Sequence, residues 1–117
     1  METCFFGFGH SALLENGNRI RFRYVETLNA DQVRELIDDG VEPCLDRRYG
    51  HLVRALRRRH GIHVPMPGIA RARPRRSDYV VTASLEAPTR PFLVDPCEYR
   101  DDEIEQAEFY FTLEEAC

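Results

Sequence analysis

Thirty consecutive residues, Arg47 to Arg76, hold ten of the chain's sixteen arginines and no Asp or Glu. A guanidinium keeps its charge under any folding condition, so this stretch has to fold with its charged heads at the surface. A helix drawn from it is limited to one apolar stripe, and a strand to one buried face. The chain as a whole has a formal net charge of −4. A positive segment inside an acidic protein points to a docked polyanion, because phosphate charge is drawn to it while the remainder repels non-specific nucleic acid. The competing expectation is that these arginines pair with acids elsewhere in the chain and serve only to tie the fold together.

At 117 residues the sequence is expected to form one domain spanning 1–117. A hydrophobic content of 43% beside a charged content of 31% is that of a globular protein and excludes wholesale disorder. No apolar run approaches the ~20 residues of a membrane helix, and METCFFGFGH is too short for a signal sequence, so the expected setting is the cytoplasm, with no membrane partner. Cys4, Cys44, Cys97 and Cys117 contain no C-x-x-C pair, which argues against a structural zinc site and a disulfide framework, and reduced thiols are expected. Lysine is absent. Every long cation is therefore a planar fork of the kind that suits phosphate oxygens.

Taken in order, Thr3 to Phe8 reads as a buried strand ending in a turn at Gly9-His10-Ser11. After the turn signal Asn16-Gly17-Asn18, RIRFRYV alternates, with Ile20, Phe22 and Tyr24 on one face and Arg19, Arg21 and Arg23 on the other. Asn29 with Gln32 three residues on, the stripe Val33, Leu36, Ile37 and the closing Gly40 predict a first helix. Asp46 is the expected cap of a second helix from about Arg47 to His60, closed by Gly61, with Leu52, Val53, Ala55 and Leu56 inward. Gly61 to Pro65 is a link, and Ile69 to Arg73 alternates so that Arg71 and Arg73 share a face. Tyr79 to Leu85 is a strand, Ala87 to Pro91 a loop with Arg90 at its tip, and Phe92 to Val94 a short strand. Asp101 to Gln106 forms one helical turn before a last strand, Glu108 to Leu113. The order ββααβββ predicts an α+β fold in which two main helices pack on one face of a mixed sheet.

No G-x-S-x-G, P-loop or H-E-x-x-H signature is present. His60 and His63 are three apart, but Gly61 breaks the helix that would put them on one face, so neither metal nor cofactor is expected. A remaining option is metal-independent phosphodiester chemistry. It needs a general acid, cations for the developing charge and a positioned ribose 2′-hydroxyl. His51, behind Arg47 and Arg48 and preceded by Tyr49 and Gly50, is the best-placed acid; a purely structural role for it stays open.

The layout resembles the viral and CRISPR-associated ring nucleases, known in viruses as type III anti-CRISPR ring nucleases. The resemblance lies in FFGFGHS with Ser11, VRELIDDG, a second helix followed by GIHVP, the strand in SDYVVTASL, Arg90 after it and the C-terminal FYFTL. It implies a homodimer that binds cyclic tetra-adenylate in a basic pocket across its two-fold axis and linearises it without metal. The family's glycine-histidine pair, which supplies the general acid, is matched by Gly50-His51, although counting back from Gly61 places that histidine at Tyr49. Where the family has an asparagine-arginine pair, this chain has Pro67-Gly68, and Arg71 or Arg73 is the expected substitute. The expected ligand contacts are therefore Ser11, Arg47, Arg48, Gly50, Arg71, Arg73 and Arg90, with His51 or Tyr49 catalytic. The alternatives are a non-catalytic binder of a cyclic nucleotide and a small interaction module; duplex nucleic acid is not the expected partner.

Overall fold

The computed structural model describes residues 2–9, 20–45, 47–65, 71–88 and 95–117. Its elements are β1 (Cys4–Gly7), β2 (Phe22–Leu28), α1 (Ala30–Asp39), β3 (Glu42–Pro43), a 3-10 turn at Arg47–Tyr49 running into α2 (Gly50–His60), β4 (Tyr79–Glu86), a second 3-10 turn at Pro96–Glu98, α3 (Asp101–Gln106) and β5 (Glu108–Ala116). The strands form one sheet in the order β2-β5-β4-β1-β3. β1 runs parallel to β3 and β4, whereas β5 is antiparallel to both β4 and β2. This is the α+β, mixed-sheet architecture that the sequence predicts.

Strand alternation sorts the apolar residues onto two faces. Phe6 stands beside Val81, and Ala83 beside Phe111, so all four look to one side of the sheet. There they join Val33 of α1 and Leu52, Ala55 and Leu56 of α2 in the main core, which puts both main helices on that face. One residue earlier, Phe5 and Val80 look the other way, into a smaller cluster with Cys44, Ala72 and Phe22.

The ends of the elements follow local chemistry. Asn29 accepts from the Gln32 amide (2.9 Å) while the Gln32 side chain accepts from the Asn29 amide (2.8 Å), a reciprocal cap that starts α1. α2 closes at Gly61, whose φ of 64° is the left-handed conformation that glycine adopts at least cost. Buried Asp78 accepts from the Thr3 amide (2.9 Å) and the Arg75 amide (2.7 Å), so one carboxylate ties the chain before β1 to the turn before β4.

Several expectations need correcting. β2 does not end at Val25: a bulge between Tyr24 and Glu26 inserts one residue, after which the strand continues to Leu28. Tyr24, before the bulge and on the sheet face away from the main helices, is 60% exposed, so the alternation of RIRFRYV does not put all of its aromatics into a core. Glu42–Pro43, between the two main helices, pairs with Phe5 and Phe6 as a two-residue edge strand that the expected order lacks, a place where proline's missing N–H is tolerated. α2 begins at Gly50 with Tyr49 as its cap residue and no side-chain cap, and residues 47–49 form the 3-10 turn before it. Of the strand expected at 69–73, the described residues supply a single bridge at Ala72. The turn at Asn16-Gly17-Asn18, the cap Asp46 and the short strand at 92–94 lie outside the described residues.

Truncating the fully buried Leu56 to Ala should cost about 2–5 kcal/mol of unfolding free energy in a urea titration, by lost burial plus the cavity left behind. Asn29→Ala should cost about 1 kcal/mol, because the exposed α1 N-terminus loses one half of its reciprocal cap.

Candidate functional site

Arg47 to His51 occupy one continuous turn at the start of α2. Arg47 and Arg48 are exposed, Gly50 and His51 half-buried, and Tyr49 is only 2% exposed. Tyr49 faces inward because its ring stacks on Phe8 at 5.5 Å between centroids, and Phe8 in turn meets Phe6 edge-on at 6.0 Å. Its hydroxyl donates to Asp95 Oδ1 at 3.2 Å. Burial, and then the Asp95 charge, push the Tyr49 phenol up to about 12. The residue on which the resemblance's spacing would place a general acid is thus a core aromatic with its proton held by a carboxylate.

Asp95 is the residue that sequence reasoning missed. Besides Tyr49, its carboxylate accepts from the Cys97 amide at 3.1 Å as the cap of the 3-10 turn Pro96–Glu98. Desolvation pushes its carboxyl up, but the bonds from Cys97 and Tyr49, with Arg48 nearby, outweigh it and hold the group below the ordinary carboxylate range. Arg48 also lies over the Tyr49 ring, 5.8 Å from its centroid. An Asp directly before a Pro was the signal available, since that pair favours a capped turn.

The arginines of α2 divide into two groups. Arg58 pairs with Glu105 of α3, and Arg59 donates to the Ile104 carbonyl at 2.7 Å with its guanidinium 5.5 Å from the Phe109 ring centre. Arg47, Arg54 and Arg57 are exposed and form no ion pair with a described residue. Spaced by seven and three residues and passing through Gly50, they run along one side of the helix, with the Arg54 guanidinium over Gly50. Tyr49, the residue before α2, makes no side-chain cap bond, and the helix dipole adds partial positive charge at this end. His51 stands in this turn with a buried Nε2 that has no hydrogen-bond partner.

Arg71 and Arg73 are exposed on either side of Ala72, which packs into the smaller cluster on the opposite sheet face from α2. They are thus anchored through different packing from Arg47 to His51. Ser11 and Arg90 lie outside the described residues. Among the described residues no group of three or more His, Cys, Asp and Glu is placed to hold a metal ion, and no helix is long and apolar enough to cross a membrane.

No family model matches this chain, and neither the curated proteins nor the solved structures show a significant similarity to it.

His60, at the other end of α2, has a different environment. Its ring meets Phe109 and Phe111 edge-on at 5.8 and 6.2 Å, its Nε2 is buried without a partner, and Arg34 donates to its carbonyl. Desolvation, then the charges of Arg59 and Arg34, hold its pKa below the ordinary value. The unfolded chain therefore binds this proton better than the folded one. Stability from His60 is fully present above the ordinary histidine value of about 6.5 and is lost as pH falls through the lower folded value. The melting temperature should drop between about pH 7 and pH 5, and His60→Gln, which does not titrate, should flatten that part of the profile.

Proposed function

We propose that this chain binds a cyclic oligoadenylate of the tetra-adenylate class as a homodimer and opens the ring without a metal, with the N-terminal end of α2 as its binding surface. The observation that carries this reading is the unbalanced charge there: Arg47 and Arg54 flank Gly50 at the start of α2, Arg57 follows on the same side of the helix, and none of the three forms an ion pair with a described residue. Phosphate suits this charge, since forked guanidiniums are among its preferred donors and a helix N-terminus favours anions. Gly50 leaves the backbone open at that point. A Cβ placed there would meet only Arg54 Nη1, at an ordinary 3.5 Å.

In this reading a ribose 2′-hydroxyl releases its proton to water as its oxygen attacks the adjacent phosphorus, the bond from phosphorus to the 5′-oxygen breaks, and protonated His51 gives its proton to the departing oxygen and regains one from solvent. The products are a linear oligonucleotide with a 2′,3′-cyclic phosphate at one end and a 5′-hydroxyl at the other. The arginines offset charge on the crowded phosphorus, and His51 is assigned the acid's role for its place in the same turn as Arg47 and Arg48. Ser11, Arg90, Arg71 and Arg73 belong to the same proposal as further ligand contacts.

One observation favours binding without cleavage. Tyr49, where the spacing of the resemblance would put the histidine, is locked into the core and bound to Asp95, so that position offers no acid. A binder that sequesters the messenger is the second reading.

Incubation with labelled cyclic tetra-adenylate in EDTA separates the two. Linear product that falls by about 10²-fold or more in His51→Ala supports the nuclease. Tight retention without product supports the binder, and no retention removes both. Gly50→Ala should keep the melting temperature, because alanine favours the helix and its Cβ fits, yet weaken retention by crowding the phosphate. Retention should also fall steeply as salt is raised.

A further inference from the structure

Away from the arginine-rich surface, α1 and the sheet enclose two adjoining hollows. The first, about 260 Å³, is lined by Cys4, Val25, Leu36, Tyr79 and Leu113. The second, about 190 Å³, is lined by Glu26, Leu28, Gln32, Glu35, Leu36, Asp39 and Leu113. They share Leu36 and Leu113, so together they make one groove with an apolar end and an acidic end.

The construction of the groove follows from register. Cys4 and Tyr79, the first residues of β1 and β4, stand side by side, and Leu113 pairs with Val81 on one side and Glu26 on the other. The bulge in β2 adds Val25, which is 39% exposed, at the rim of this floor. Leu36 of α1 forms the wall, and Glu35 and Asp39 stand exposed on the same helix. Among the described residues no basic side chain lines either hollow, and Glu26, Glu35 and Asp39 form no ion pair.

We propose that this groove docks a short segment of a partner protein that carries one bulky apolar side chain flanked by arginine or lysine. At about 260 Å³ the apolar hollow has room for one bulky side chain, and the acidic hollow beside it takes the flanking residues. Charge selects the flanks, because three unbalanced carboxylates at the rim attract cations and repel acidic segments. The chain's own basic helix does not fit, since Leu52, Ala55 and Leu56 of α2 are buried and its outer face presents arginines without an apolar anchor. The proposal is independent of the messenger-binding surface.

The test uses fluorescein-labelled peptides with the intact chain. Arg-Arg-Leu-Arg-Arg, flanked by glycines, should bind about tenfold more tightly than the same peptide with Gly in place of Leu, as expected for burying one leucine. The double variant Glu35→Lys/Asp39→Lys, at two exposed positions, should lose about tenfold in affinity with an unchanged circular dichroism spectrum. Amide shifts on titration should centre on Val25, Leu36 and Leu113. Equal binding of the leucine and glycine peptides would reduce the groove to plain charge attraction and overturn the proposal. So would shifts centred elsewhere, an unaffected double variant, or no binding at all.

Discussion

Burial of the apolar stripe of α2 is the condition on which the rest of this structure rests. The helix has eleven residues and four arginines, too short and too charged to persist alone in water. It forms because Leu52, Ala55 and Leu56, led in by Tyr49, are removed from water against Phe6, Phe8, Val81 and Ala83. That docking fixes the rotation of the helix about its axis. Once the stripe points down onto the sheet, Arg54 and Arg57 have nowhere to point but outward, and the half-buried His51 sits at the margin.

Rotation alone does not decide what the arginines meet. α3 lies alongside the later turns of α2, so that Glu105 reaches Arg58 and the Ile104 carbonyl reaches Arg59. An exposed pair such as Arg58 with Glu105 contributes little to stability, about 0–1 kcal/mol. Its larger consequence is electrostatic, since it neutralises Arg58 while Arg57 in the same turn and Arg54 before it keep their charge. The arginines therefore divide: Arg58 and Arg59, beside α3, tie the fold together, whereas Arg47, Arg54 and Arg57 form no ion pair with a described residue. Asp95 adds a finer adjustment, a carboxylate beside Arg48 that also holds the Tyr49 hydroxyl.

Local signals were legible where the physics is local. Asn29 and Gln32 cap each other across three residues, Gly61 takes a backbone conformation that few other residues tolerate, and Phe109 and Phe111 share a face because a strand's side chains alternate. The bulge at Val25 was not legible, because an extra residue is defined by what lies opposite it, and β5 is about ninety residues away in the chain. β3 was hidden for the same reason: two residues, one of them proline, become a strand only when Phe5 and Phe6 are alongside. At the candidate site the cluster of Arg47, Arg48, Gly50 and His51 could be named from the sequence. The inward turn of Tyr49 could not, because it depends on Phe8 and Asp95 arriving from distant segments.

By itself the sequence determined the composition of each face: where apolar residues recur at helical or strand spacing, which residues cap and close the helices, and that an acid-free run of arginines would keep its charge at the surface. Only the tertiary structure decided which of those arginines would be neutralised, which tyrosine would be buried, and that an acidic, apolar-floored groove would open beside α1. Periodicity and capping act over a few residues and are written in order along the chain. Neutralisation, stacking and groove formation depend on which segments come to lie side by side, and that is set by the packing of the whole.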